Sequence, residues 1–142
     1  MAAAAHSPYP TLAHAFAALD ELPIAGSGRI NADQPGVDFD ALGRARRLLP
    51  HVWADDAPLE RISVTLQGGM TFLWRRPGTL LELMIDPYAL YSLRLDTSST
   101  TRDWTRPTLE QTVADVRQVL GLPPLPAAAA GAGAAAQAAA RA

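Results

Sequence analysis

Between Glu60 and Asp96, apolar and polar residues alternate with a period of two in four successive runs. Ile62, Val64 and Leu66 alternate with Ser63, Thr65 and Gln67; Met70, Phe72 and Trp74 with Thr71 and Arg75. Leu81, Leu83 and Ile85 then flank Glu82 and Met84, and Tyr91, Leu93 and Leu95 flank Ser92 and Arg94. Neighbouring side chains of a strand point to opposite faces, so each run predicts a strand with one buried face, over about 61–67, 70–75, 79–85 and 90–96. Gly68-Gly69, Pro77-Gly78 and Asp86-Pro87 separate the runs, which is the punctuation of an antiparallel meander. Parity sharpens two turns. Keeping Leu66 and Met70 on one face demands a three-residue loop of Gln67, Gly68 and Gly69, with Gly69 at positive φ. Trp74 opposes Leu81 only if Arg76 pairs with Thr79, which leaves Pro77 and Gly78 at the centre of a type II turn.

Outside this region the spacing changes to threes and fours. Helices are predicted over about 12–21, 39–49 and 109–120. Thr11 caps the first, whose inward residues are Leu12, Ala15, Phe16 and Leu19, and Pro23 ends it. Asp38 or Asp40 caps the second; Phe39, Leu42, Ala45, Leu48, Leu49 and Val52 face inward, opposite Arg44, Arg46 and Arg47. Pro50 predicts that this helix stops at Leu49 or kinks. Thr108 and Gln111 form a capping box for the third helix; Leu109, Val113, Val116 and Leu120 make its stripe, and Gly121 ends it. Residues 25–36 read as a loop.

The expected fold is therefore α+β: a four-stranded antiparallel β-meander packed against two N-terminal helices and one C-terminal helix, in a single domain over residues 9–126. Residues 1–8 are expected to be a disordered head. Residues 127–142 are expected to be a disordered Ala-rich tail, because twelve of the sixteen are alanine and Gly131 and Gly133 weaken any helix there.

Composition removes several function classes. The chain has 142 residues and no cysteine, so disulfides, thiolate nucleophiles and cysteine metal sites are excluded. No window approaches 18 apolar residues and the first ten have no leader pattern, so a cytoplasmic protein with no membrane partner is expected. A formal net charge of −2 argues against a nucleic-acid partner held by a concentrated basic surface. The absence of lysine beside many Ala, Arg, Pro and Gly residues points to a GC-rich bacterial coding sequence.

The segment from Pro58 to Leu95 contains Gly68-Gly69-Met70-x-Phe72-x-Trp74, then Leu81-Glu82-Leu83-x-Ile85, then Asp86-Pro87. It resembles a pattern in small uncharacterised bacterial and phage proteins: a Gly-Gly-hydrophobic-x-Leu-x-Trp strand, a Leu-Glu strand, an Asp-Pro-Asp-Gly turn and an aromatic strand. The resemblance implies the meander and no activity. Tyr88 and Ala89 stand where that pattern has Asp and Gly, and Leu73 and Met84 where Glu is common.

Candidate chemistry is sparse. His51, Asp55 and Asp56 could offer metal ligands, but without a second histidine at ligand spacing they read as a helix end and a solvated turn. Ser98, Ser99, Thr100 and Thr101 lack the elbow and nearby histidine of a nucleophile and read as a polar loop. Glu82, Asp86 and Asp96 could pair for acid–base work, or serve as ladder partners of Arg75 and Arg94. Two surfaces stand out. Leu73, Leu80 and Met84 form a patch on the face opposite Trp74, and Trp104 lies in a polar loop, either as a lid over the core's edge or exposed for binding. The leading expectation is a non-enzymatic interaction module without a cofactor, using Leu73, Leu80, Met84 and Trp104 on a protein partner or a second copy. The alternative is a small-molecule or nucleic-acid binder using Arg75, Arg94, Arg102 and Arg106, and a small carboxylate enzyme ranks third.

Overall fold

Parity holds through the centre of the sheet. In the computed structural model, which describes residues 8–24, 36–57, 59–88 and 90–125, the element order is α1 (Leu12–Asp20), α2 (Phe39–Val52), β1 (Leu59–Val64), β2 (Met70–Arg76), β3 (Thr79–Ile85), β4 (Tyr91–Thr97), β5 (Thr101–Arg106) and α3 (Leu109–Val119). The five strands form one antiparallel sheet in sequence order. Trp74 opposes Leu81, Arg76 opposes Thr79, and Gly78 takes φ +72° in the turn between them, as predicted. Residues 1–7 of the expected 1–8 head, the expected tail at 127–142 and residues 25–35 of the 25–36 loop lie outside the described residues.

Inner-face residues Phe72, Trp74, Leu81, Leu83, Ile85 and Leu93 join Ala41, Ala45, Leu48, Leu49 and Val52 of α2 and Val113 and Val116 of α3 in one buried cluster. Ala15 and Leu19 of α1 complete it. Fully burying one such aliphatic side chain contributes about 1.5–3 kcal/mol, so this layer of contacts is the main source of stability. No helix among the described residues is long and apolar enough to cross a membrane.

Four local expectations are corrected. The sheet has five strands rather than four, because Thr101–Arg106, read as a polar loop, pairs with β4 from Tyr91↔Arg106 to Asp96↔Thr101. Its only apolar side chain is Trp104, so the alternation that marks a strand is absent. Second, α2 does not stop at Leu49 but continues through Pro50 to Val52: in the last turn a proline forfeits one amide bond, while Leu49 and Val52 on either side of it are fully buried.

Third, Phe39 is exposed rather than inward. The buried stripe of α2 starts at Ala41, and two residues correspond to about 200° around the helix axis.

Fourth, β1 is displaced from the expected 61–67. The β1–β2 register is Ile62↔Phe72 and Val64↔Met70, and the loop closes through Thr65 N–H to Gly69 O (2.9 Å) and Gly68 N–H to Thr65 O (3.1 Å). The three loop residues are therefore Leu66, Gln67 and Gly68, and the positive φ of +92° falls on Gly68, not Gly69. Leu66 is thereby carried out of the core. Leu59 replaces it in the core, because the register shift between Leu59 and Arg61 changes the parity and places Leu59 opposite Trp74.

Gly69 is required for a different reason: a Cβ there would sit 2.6 Å from the Ile85 carbonyl oxygen. Gly78, by contrast, has open space around its missing Cβ. Gly78→Ala is expected to cost about 1–2 kcal/mol for its left-handed backbone alone. Gly69→Ala is expected to cost more, up to about 3 kcal/mol, because backbone must move. Urea unfolding of the two variants checks the order; a smaller loss for Gly69→Ala would contradict this packing.

Candidate interaction surface

The described helices pack on one side of the sheet, leaving the other side as a ladder of mixed polarity. Register puts Arg61, Leu73, Glu82, Arg94 and Asp103 in one row across the strands, and Thr71, Met84, Ser92 and Thr105 in the next. Leu73 lies opposite Glu82 and diagonal to Leu80 and Met84, as parity predicts. It is only 6% exposed although it stands outside the main core cluster, and Leu80 and Met84 are half-buried. The stems of the surrounding charged residues therefore already shield much of this patch. Arg75 is paired with Glu60 at 2.9 Å and Arg94 with Asp96 at 3.7 Å. A shallow groove of about 430 Å³ crosses this face, lined chiefly by Thr71, Glu82, Met84, Ser92, Arg94 and Asp103. It holds hydroxyls and carboxylates, and no histidine is among the residues that line it.

Trp104 belongs to the opposite side, in register with core residue Leu93. Its indole Nε1–H donates to Asp115 Oδ2 at 2.7 Å, and Arg106 donates to both oxygens of the same carboxylate, at 2.5 and 3.2 Å. The Arg102 guanidinium lies 4.5 Å from the centre of the Trp104 ring. Trp104 is thus the lid of the two readings, tying β5 to α3. Of the four interaction residues expected from sequence, Met84 and Trp104 both border the groove, with Leu73 and Leu80 beside Met84, while the Trp104 indole is held on the helix side by Asp115. The four arginines of the alternative do not share one surface: Arg75 and Arg94 stand on the open face, Arg102 and Arg106 beside the helices.

The remaining candidates are also dispersed. His51 ends α2, its carbonyl accepting from Arg117 Nη1 at 2.6 Å, and Asp55 and Asp56 lie in the following turn. Among the described residues no group of three or more His, Asp or Glu side chains is placed to hold a metal ion. Glu82 and Asp96 are on the open face, whereas Asp86 lies in the β3–β4 turn and accepts from the Tyr88 amide.

A surface that the alternation could not reveal lies at one end of the sheet. The large apolar residues exposed among those described are Leu66 (88%), Tyr88 (82%), Phe39 (65%), Leu90 (46%) and Ile24 (38%). Leu66 is in the β1–β2 loop, while Tyr88 and Leu90 are in the β3–β4 loop. The pairs Val64↔Met70 and Ile85↔Tyr91 bring these two loops to the same edge. The Asp38 amide donates to the Gly68 carbonyl at 2.7 Å, which fastens the start of α2, and Phe39 with it, to the first loop. A Cβ on Gly69 would meet Pro87 Cδ at 3.2 Å, so the two loops touch. Ile24 joins through its bridge to Val37. Arg44 donates to the Asp86 carbonyl and stands 5.9 Å from the Tyr91 ring centre, bracing the second loop from below. These loops are therefore held, and their apolar side chains face water on a fixed base.

The two sheet edges differ. At β1 the Ile62 amide donates to the Tyr9 hydroxyl, so the N-terminal segment partly covers that edge. At β5 the two-fold registers that would pair most residues with a second copy put Asp103 opposite Asp103, or Arg102 opposite Arg106. Like charges directly opposite are destabilising, so this edge resists self-pairing.

No family model, no curated protein and no solved structure matches the chain, so the residues themselves carry the functional argument.

Burial of Tyr91, which supports this end, raises its phenol pKa above the ordinary 10.0, against the opposing pull of Arg44 and Arg47. The neutral form is favoured in the folded chain, so its contribution to stability is complete below pH 10.0 and is lost as pH rises through the folded value. Unfolding free energy is expected to fall above about pH 10 more steeply for the natural chain than for Tyr91→Phe; equal slopes would contradict the burial.

Proposed function

We propose that the chain is a non-enzymatic protein-interaction module that docks through the loop end of its sheet. The carrying observation is that Leu66, Tyr88 and Leu90 stand exposed on two loops at one end of the sheet, with Phe39 and Ile24 exposed on segments fastened to the first of them. Each would contribute about 1.5–3 kcal/mol if fully buried, against an association cost of about 4–15 kcal/mol. Several must therefore be covered together, which a cluster permits and scattered surface residues do not. The described histidines, His14 on α1 and His51 on α2, do not line the groove, which supports a binding role over a catalytic one. Leu73, Leu80 and Met84 are not retained as a docking surface, since Leu73 has little area left to bury. The charge pattern of β5 disfavours a second copy paired along that edge. A bacterial or phage accessory protein, the origin suggested by the meander pattern, fits this reading.

Affinity capture from cells of the encoding organism, read by quantitative mass spectrometry, tests it. The tagged natural chain and Leu80→Glu are expected to retain the same specific polypeptide, and Leu66→Glu/Tyr88→Glu to lose it by at least about tenfold, the equivalent of 1.4 kcal/mol. Equal recovery with all three chains, or loss only with Leu80→Glu, would overturn the proposed surface.

A further inference from the structure

We infer that the apolar loop end takes a short cationic, amphipathic segment of its protein partner; this rests on the docking role just proposed. The apolar side chains there share their surroundings with four acids. Asp38 and Asp40 begin α2, Asp86 is in the β3–β4 loop, and Glu110 begins α3 near Tyr91. Each also serves its own segment. Asp38 accepts from the Ala41 amide, Asp86 accepts from the Tyr88 amide, and Asp40 and Glu110 sit in first helical turns. None is among the described side chains joined in a salt bridge, so their charge is left to act outward.

The described cations of this end are fewer. Arg106 is offset by both oxygens of Asp115, whereas Arg44, on the Asp86 carbonyl and the Tyr91 ring, keeps its charge, as does Arg47 one turn further along α2 and also acting on Tyr91. Among the described residues, within reach of a screening length of about 8 Å at physiological salt, the four unpaired acids outnumber the two uncompensated cations, Arg44 and Arg47. This disfavours phosphate-rich surfaces, both nucleic acid and anionic lipid, and complements lysine or arginine flanking an apolar ridge. Size points the same way. Five exposed apolar side chains are about the number of anchors that a single amphipathic helix or strand engages.

Two synthetic 14-residue amphipathic peptides of identical leucine pattern, one with lysine and one with glutamate on the polar face, serve as probes for titration calorimetry against the full chain. Vesicles of phosphatidylcholine with phosphatidylserine form a third arm. The lysine peptide is expected to bind at least tenfold more tightly than the glutamate peptide, to weaken as salt is raised, and to lose at least tenfold in affinity with Leu66→Ser/Tyr88→Ser. Asp40→Asn/Asp86→Asn is expected to weaken it several-fold, whereas Leu80→Glu, on the open face, leaves it unchanged. Equal binding of both peptides, binding that the loop variants leave unchanged, or stronger binding to the vesicles would overturn the cationic-segment assignment. If the captured partner depends on Leu66 and Tyr88 while the lysine peptide shows no preference, only the partner chemistry fails; if neither depends on those residues, the docking surface fails with it.

Discussion

Phe72, Trp74, Leu81, Leu83 and Leu93 stand on one face of the sheet, and removing them from water requires the helices to lie against that face. Most of the architecture follows from this burial. α2 packs on β2 and β3, α3 on β5 and α2, and α1 on α2. With the described helices committed to one side, the other side must be soluble by its own composition. It achieves this with charges and hydroxyls at alternate positions, paired as Arg75–Glu60 and Arg94–Asp96. The same one-sided layering fixes the ends: hairpin loops emerge beyond the helices' cover, and apolar residues placed in those loops meet solvent.

The sheet is legible in sequence wherever a strand's two faces differ in polarity. β2, β3 and β4 carry clear alternation, and a two-residue turn at Pro77-Gly78 transmits their register without ambiguity. Legibility ends where parity is broken or carries no contrast. The irregularity between Leu59 and Arg61 shifts β1 and leaves Leu66 outside, and β5 has a single apolar residue to announce it. Trp104 shows the limit most clearly: a lone tryptophan among polar residues fits a binding loop or a clasp equally well in sequence, and only its distance of 2.7 Å to Asp115 distinguishes them.

The candidate surface is illegible for a related reason. Periodicity identifies residues that share an element's face, whereas Leu66, Tyr88, Phe39 and Ile24 come from four different segments. Their convergence depends on two contacts that no local pattern encodes, the Asp38 amide on the Gly68 carbonyl and the approach of Gly69 to Pro87. Spacing alone assigns Phe39 and Leu66 to the core. Their exposure turns two expected contributors to stability into candidates for recognition.

A photo-crosslinking side chain placed at Tyr88, at Leu80 or at Asp103 samples the loop end, the open face and the free edge in the living cell. Docking through the loop end predicts a discrete heteromeric adduct from position 88, with positions 80 and 103 giving none of comparable yield. An adduct confined to position 80 or 103, or a crosslinked dimer of the chain itself, would contradict it.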